Sequence, residues 1–143
     1  MTETRASVTS AAELVKFAEL VAITTYTVSG ERHEDDSEHE TQQEMAVAVR
    51  EGDRGFETRI RMTQTTPEAE LIADIGATYT LTQPVDLAPG VMNEFVERVG
   101  VMAIFPYLRE AVSTTATRLG VPAPVYGLMR QGQVHLTPDA PTK

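Results

Sequence analysis

Cysteine and tryptophan are both absent from this 143-residue chain. Without a thiol there can be no disulfide, no thiolate nucleophile and no zinc–thiolate site, so structural zinc of the usual kind is excluded. Positive charge is scarce too: 12 Lys and Arg stand against 21 Asp and Glu, a formal net charge of −9. A surface of that sign repels a phosphate backbone, whose binding rests on neutralisation by Lys and Arg, and nucleic acid is a poor candidate partner. Long apolar runs are also missing. No segment approaches the ~18 consecutive apolar residues of a bilayer-spanning helix, and residues 1–10 have neither a basic n-region nor an apolar h-region. The expectation is a cytoplasmic protein that does not insert into the membrane, with room for one domain over residues 1–143.

What the chain does have is periodicity. Residues 14–28 are rich in β-branched and aromatic side chains and read as a long strand with Val15 and Phe17 on one face. Leu20, Val21 and Ile23 do not share one parity, which points to a bulge or to burial on both faces. Residues 30–40 form an acidic connector, expected to be a solvated loop. Met45, Val47 and Val49 then alternate with Glu44 and Arg50, a GDRG turn covers residues 52–55, and Phe56, Thr58, Ile60 and Met62 alternate with Glu57, Arg59 and Arg61. A further run places Leu71, Ala73, Ile75, Ala77, Tyr79 and Leu81 on one side. After Pro84, Pro89 and Gly90 the period lengthens to about 3.6 residues. Met92, Phe95, Val96 and Val99 share one helical face. A second helix is expected to start near Pro106 and to end at Gly120, ahead of Pro122 and Pro124. The fold class is α+β: a four-stranded antiparallel sheet with two C-terminal helices packed on one face. Flexible tails are expected at about 1–11 and 137–143.

Chemistry-bearing patterns are thin. His33 and His39 lie among carboxylates in the acidic connector, but without glycine-defined geometry they read as solvated charge, and no metal site is expected. His135 has no local partner. There is no G-x-S-x-G elbow and no phosphate-binding glycine loop, so neither a catalytic residue nor a cofactor is expected. Six methionines and apolar stripes on sheet and helices remain, and methionine is the adaptable contact of promiscuous binding surfaces.

The segment FPYLREAVSTTATRLG at 105–120, followed by VPAPVYGLMR, resembles the signature region of the SecB family of export chaperones. Phe105, Pro106, Tyr107, Arg109, Glu110, Arg118, Pro122 and Pro124 carry the likeness, and the remainder of the chain agrees with it in layout. The resemblance implies an ATP-independent holdase in which subunits pair through their sheets and dimers join through helices into a homotetramer. Its partners would be unfolded polypeptides, either preproteins or an antitoxin, and in exporting members also the translocase motor ATPase. The client-binding groove would draw on Phe17, Met45, Val47, Phe56, Ile60, Met62, Tyr107, Leu108, Val112, Leu119, Val125 and Tyr126. An acidic docking face would use Glu44, Glu57 and Asp74, and the oligomer interface Met92, Phe95, Val96 and Val99. The polar stretch at 130–133 and the lack of the family's common cysteine depart from exporting members. The alternative is a small cone-shaped α+β ligand-binding protein or enzyme with an enclosed pocket built on Tyr26, Asp74, Tyr79 and His135.

Overall fold

Alternating apolar and charged residues form strands because each strand then buries one face and wets the other. In the computed structural model, which describes residues 4–34 and 39–125, this happens four times. The chain order is β1 (Ala6–Val8), α1 (Ala11–Val15), β2 (Ala18–Arg32), β3 (Gln42–Gly52), β4 (Gly55–Thr65), β5 (Ala69–Leu81) and β6 (Val85–Leu87). A helical run follows, made of α2 (Val91–Phe95), a π turn (Val96–Gly100) and α3 (Val101–Leu119). The main sheet is antiparallel with strand order β2-β5-β4-β3. The GDRG turn is the tight hairpin expected, with Gly52 opposite Gly55.

Register aligns the apolar parities of neighbouring strands. Met45 faces Met62, Val47 faces Ile60, and Ile60 in turn faces Ile75. The buried set on this face is Phe56, Ile60, Met62, Leu71, Ala73, Ile75, Ala77 and Tyr79. From the other side α3 contributes Val101, Ile104, Phe105, Leu108, Ala111, Val112 and Ala116, so the core is a helix-on-sheet layer. At one end of it Phe56 stacks on Tyr79 with centroids 5.0 Å apart, and Phe95 meets both rings edge-on at 5.2 Å. Both are favoured arrangements for ring quadrupoles.

Three expectations need correction. The first concerns the amino-terminal segment, which is structured from Ala6 and not mobile to residue 11. β1 pairs in parallel with β6, and Val8, Ala11 and Leu14 are buried. Arg5 reinforces this pairing through Asp86 at 2.7 Å. Residues 11–15 are a short helix and not strand because Ser10 Oγ accepts from the Glu13 amide at 3.2 Å, while Glu13 returns to the Thr9 amide and hydroxyl. That is a Ser-x-x-Glu cap in which the glutamate reaches the residue before the N-cap and not the N-cap amide itself. The second concerns β2, which starts at Ala18 and continues to Arg32, into the expected loop. Its end is held by Arg32 Nη1 donating to the Leu119 carbonyl at 2.8 Å, a cation at a helix C-terminus. The third concerns the two helices, which are one run. Gly100 is absorbed in the π turn, where the Val101 amide reaches back to the Val96 carbonyl, and Pro106 sits on an exposed side inside α3 instead of opening it. Gly120 ends the run in the left-handed region (φ 72°), as the sequence pattern implied. The expected tail at 137–143 lies outside the described residues.

The fully buried Leu108 tests the helix-on-sheet core. Leu108→Ala is expected to lower the unfolding free energy by about 2–5 kcal/mol. Urea denaturation at fixed protomer concentration should show this as a lower midpoint with an unchanged slope.

Candidate functional site

Two surfaces survive once the core is formed. The first is the flank where β2, a terminal strand of the sheet, runs beside α3. Register shifts between Leu20 and Ala22 and between Thr25 and Thr27 mark the irregularity that the broken parity implied. Because of them Leu20, Ile23, Thr25 and Val28 all fall on the helix side, opposite Tyr79, Ala77, Ile75 and Ala73. α3 closes over the far end of β2, where Thr115 and Leu119 press on Gly30, but leaves the earlier residues partly open. Leu20 stays 47% exposed, Val28 45% and Tyr107 of α3 47%. Between strand and helix lies a groove of about 240 Å³ lined by Thr25, Val28, Ile75, Tyr107, Glu110 and Arg118. Apolar side chains at that exposure, beside a strand that is terminal in the sheet among the described residues, make this flank the candidate binding surface.

The expected groove residues divide. Tyr107 and Val125 are exposed, and Phe17, Met45, Val47 and Leu119 are half-buried at the margins of the core. Phe56, Ile60, Met62, Leu108 and Val112 are interior and have no surface to offer a client. Alternation identifies the inward side of a strand or helix but not whether another element covers it, and here α3 does. Tyr126 lies outside the described residues. Leu20, Val21 and Val28 are exposed apolar residues outside the expected set, and the parity break in β2 is their signal in the sequence. Of the expected interface residues, Phe95 and Val96 are buried within the subunit, while Met92 and Val99 retain surface.

The second surface is the face of the sheet opposite α3, where charged side chains and Tyr26 link all four strands. On β3, Arg50 donates to Glu57 at 3.0 Å. Glu57 also accepts from the hydroxyl of Tyr26, carried by the second irregularity of β2. The Tyr26 ring lies under the Arg59 guanidinium, 3.8 Å away, and Arg59 grips Asp74 with two hydrogen bonds of 2.8 and 3.0 Å. Arg61 reaches the same carboxylate at 3.3 Å. Gly76 permits this, since a Cβ there would lie 2.6 Å from Glu57 Oε2 and 3.1 Å from the Tyr26 ring. Glu57 and Asp74 were expected to face a partner; both are buried and already neutralised by arginine, and of the expected acidic dock only Glu44 is exposed. Arginine can reach over a strand to cover a neighbouring carboxylate, which spacing along one strand does not reveal.

Burial pushes the Asp74 carboxyl up, but the hydrogen bonds and charge of Arg59, joined by Arg61, outweigh it and hold the group below its ordinary value. The hydrogen bond to Glu57 raises the Tyr26 hydroxyl, with burial adding to it.

The residues of an enclosed enzyme pocket do not converge. Tyr26 and Asp74 belong to the open face, Tyr79 points into the core on the opposite side, and His135 is outside the described residues. Thr58 lies against Gly100 of the π turn, and its buried hydroxyl and that of Tyr79 find no hydrogen-bond partner of good geometry beyond one another among the described residues. His33 and His39 stack with centroids 3.6 Å apart, and His33 Nε2 lies 3.0 Å from the Thr66 carbonyl. No group of three or more metal-ligating side chains occurs among the described residues. No described helix is long and apolar enough to cross a membrane.

A carboxyl whose folded pKa lies below its unfolded value of about 3.9 adds stability at all higher pH. That contribution drains away as pH falls through the depressed value. Asp74→Asn is therefore expected to cost about 1–3 kcal/mol near pH 7, the worth of hydrogen bonds to a charged group. The gap to the unaltered chain should narrow below about pH 4, as urea titrations at neutral and acid pH would measure.

No family model matches the chain. The SecB-like chaperone SmegB of Mycolicibacterium smegmatis is 39% identical to it over 125 residues, spanning 87% of this chain and 84% of that protein. Among solved structures, the Mycobacterium tuberculosis SecB-like chaperone Rv1957, in complex with a ChAD peptide from the HigA1 antitoxin, superposes with a TM-score of 0.69. That match covers 83% of this chain and 92% of the other at 18% identity, and it fixes the fold. Sequence identity extending over most of both proteins, with a shared four-stranded sheet and C-terminal helix, makes this chain a member of the SecB-like chaperone family.

Proposed function

We propose that the chain is an ATP-independent holdase that keeps an aggregation-prone polypeptide, in the first instance an antitoxin tail, extended along the apolar flank of β2 and α3. The carrying observation is the groove with Val28 and Tyr107 at its rim, left open beside a strand that is terminal in the sheet among the described residues. Main-chain groups of such an edge can take an extended segment as an added strand, and the apolar rim can take its alternate side chains. Apolar area is worth roughly 25 cal/mol per Å² removed from water, so several shallow contacts sum to useful holding strength without nucleotide. A neighbour of this fold binds an antitoxin peptide, which supports the same class of client here. Burial of Glu57 and Asp74 removes two of the three carboxylates on which docking to a translocase motor would rest, and this favours antitoxin protection over preprotein export. The working form is a cytoplasmic homo-oligomer, a tetramer built as a dimer of dimers, with Met92 and Val99 as the interface residues that keep surface.

Two variants test this reading. Val28→Asp and Tyr107→Asp should each need several-fold more chaperone to suppress aggregation of a chemically denatured, unrelated protein without nucleotide. Their thermal unfolding midpoints should stay within a few degrees of the unaltered chain, as expected for half-exposed sites. Suppression undiminished in both would remove the flank from the mechanism.

A further inference from the structure

The open face of the sheet carries a concentration of cations that the composition does not foreshadow. Three of the chain's 12 Lys and Arg residues, Arg50, Arg59 and Arg61, stand over one trough of about 450 Å³ whose floor is Ala46 and Ala48. In register, Ala46 lies beside Arg61, Ala48 beside Arg59, and Arg50 beside Glu57. These are three successive same-face positions on β3, a terminal strand of the sheet with one main-chain edge outside the ladder.

The three guanidinium groups are not equally committed. Arg59 is held by two hydrogen bonds to Asp74 and by the Tyr26 ring. Arg50 gives a single hydrogen bond to Glu57 with 66% of its side chain exposed, and Arg61 a single 3.3 Å contact to Asp74 with 47% exposed. A guanidinium has five N–H donors, so most of those on Arg50 and Arg61 are turned to the trough and to water. The carboxylates beneath them are buried and cannot fill those donors further. Small side chains at residues 46 and 48 leave room for another backbone to approach.

We propose that this face is a second docking surface, for an extended acidic polypeptide segment that lies along β3 with two carboxylates four residues apart. The spacing follows from the rungs. Residues 46 and 50 are separated by roughly 13 Å along a strand, and side chains two and four residues apart in an extended partner share one face. One carboxylate meets Arg61 beside Ala46, the other meets Arg50, and the residue between them rests over Ala48 beneath the occupied Arg59. Glu44, one rung further and exposed, repels a third carboxylate and fixes the register. Charge-assisted contacts of this kind set partner choice and association rate more than total affinity. The site lies on the opposite side of the sheet from Val28, so it stands or falls independently of the apolar flank.

The test uses the full chain and fluorescein-labelled nonapeptides of Ser and Thr followed by anisotropy. One peptide carries Glu at positions three and seven, a second Glu at three and six, a third Gln at three and seven. The first should bind at low ionic strength and weaken as salt shortens the screening length. The second and third should bind at least about tenfold more weakly, the scale set by loss of one charge-assisted contact. Arg50→Gln and Arg61→Gln should each reproduce that loss, and Ala46→Glu, which leaves every arginine in place, should abolish binding. Arg109→Gln on α3 and Val28→Asp should leave it unchanged. Equal binding of the three peptides, no binding of the first, or indifference to the arginine variants would overturn the proposal. So would sedimentation showing that Arg50→Gln or Arg61→Gln dissociates the protein into smaller species, because the face would then be an interface between copies.

Discussion

One helix cannot cover a four-stranded sheet, and much of this molecule is organised by that mismatch. Strands spaced about 4.8 Å apart make a face wider than the roughly 10 Å diameter of a helix. α3 therefore settles over β5 and its neighbours, where Ile60, Leu71, Ile75, Ile104 and Leu108 share one buried core, and the outer strands pay the difference in exposure. At β3 the shortfall is modest, leaving Met45 and Val47 half-buried. At β2 it is larger over the residues before Gly30, because the irregular register turns Leu20 and Val28 toward the helix side where α3 covers them only in part. The apolar flank is thus a geometric consequence of the layer architecture and not a cavity cut into it.

The opposite face solves a different problem. A sheet left bare on one side must either be polar or be covered by another molecule. Here the polar solution is a connected one: Arg50, Glu57, Tyr26, Arg59, Asp74 and Arg61 bridge every strand of the sheet, so the network also ties the edges to the centre. Asp74 can be nearly inaccessible on a nominally open face only because two guanidinium groups lie over it. Against the cost of burial, the hydrogen bonds and charge of those arginines hold the carboxyl below its ordinary value, and removing one partner would leave a poorly solvated charge.

Legibility in the sequence followed the range of the interactions. The hairpin of β3 and β4, the parity of β5 and the Gly120 stop rest on local rules, and they were readable. The Ser10-x-x-Glu13 cap is equally local, but the apolar content of residues 14–28 competes with it and makes the strand look longer than its actual start at Ala18. Pairing of Ala6–Val8 with Val85–Leu87 joins segments nearly the whole sheet apart in sequence, and nothing in either tripeptide announces it. Burial of Ile60, Met62 and Leu108 needed the position of α3. Neutralisation of Asp74 needed the register that sets Arg61 directly opposite it and Arg59 within reach of the same group. The parity break in β2 was visible, but its outcome, apolar residues turned outward beside a helix, required the partner strand.

The strength available on the flank argues for repetition. A fully buried Val, Leu or aromatic side chain gains about 1.5–3 kcal/mol, and Leu20, Val28 and Tyr107 have only part of that still to gain. Bringing two molecules together costs several kcal/mol before any contact shows as affinity, roughly 4–15 by current estimates. On the proposed reading, one flank on one subunit would hold a segment weakly and release it quickly, as a chaperone that returns its client requires. Several flanks in an assembly change the arithmetic without adding any new contact, because each later engagement by the same chain is intramolecular and proceeds at a high effective concentration. A folded globule cannot profit, since it presents its apolar segments to nothing; an extended chain can, in proportion to its length. Selectivity for the unfolded state then needs no nucleotide and no gate, only shallow apolar sites spaced along a surface longer than any one of them.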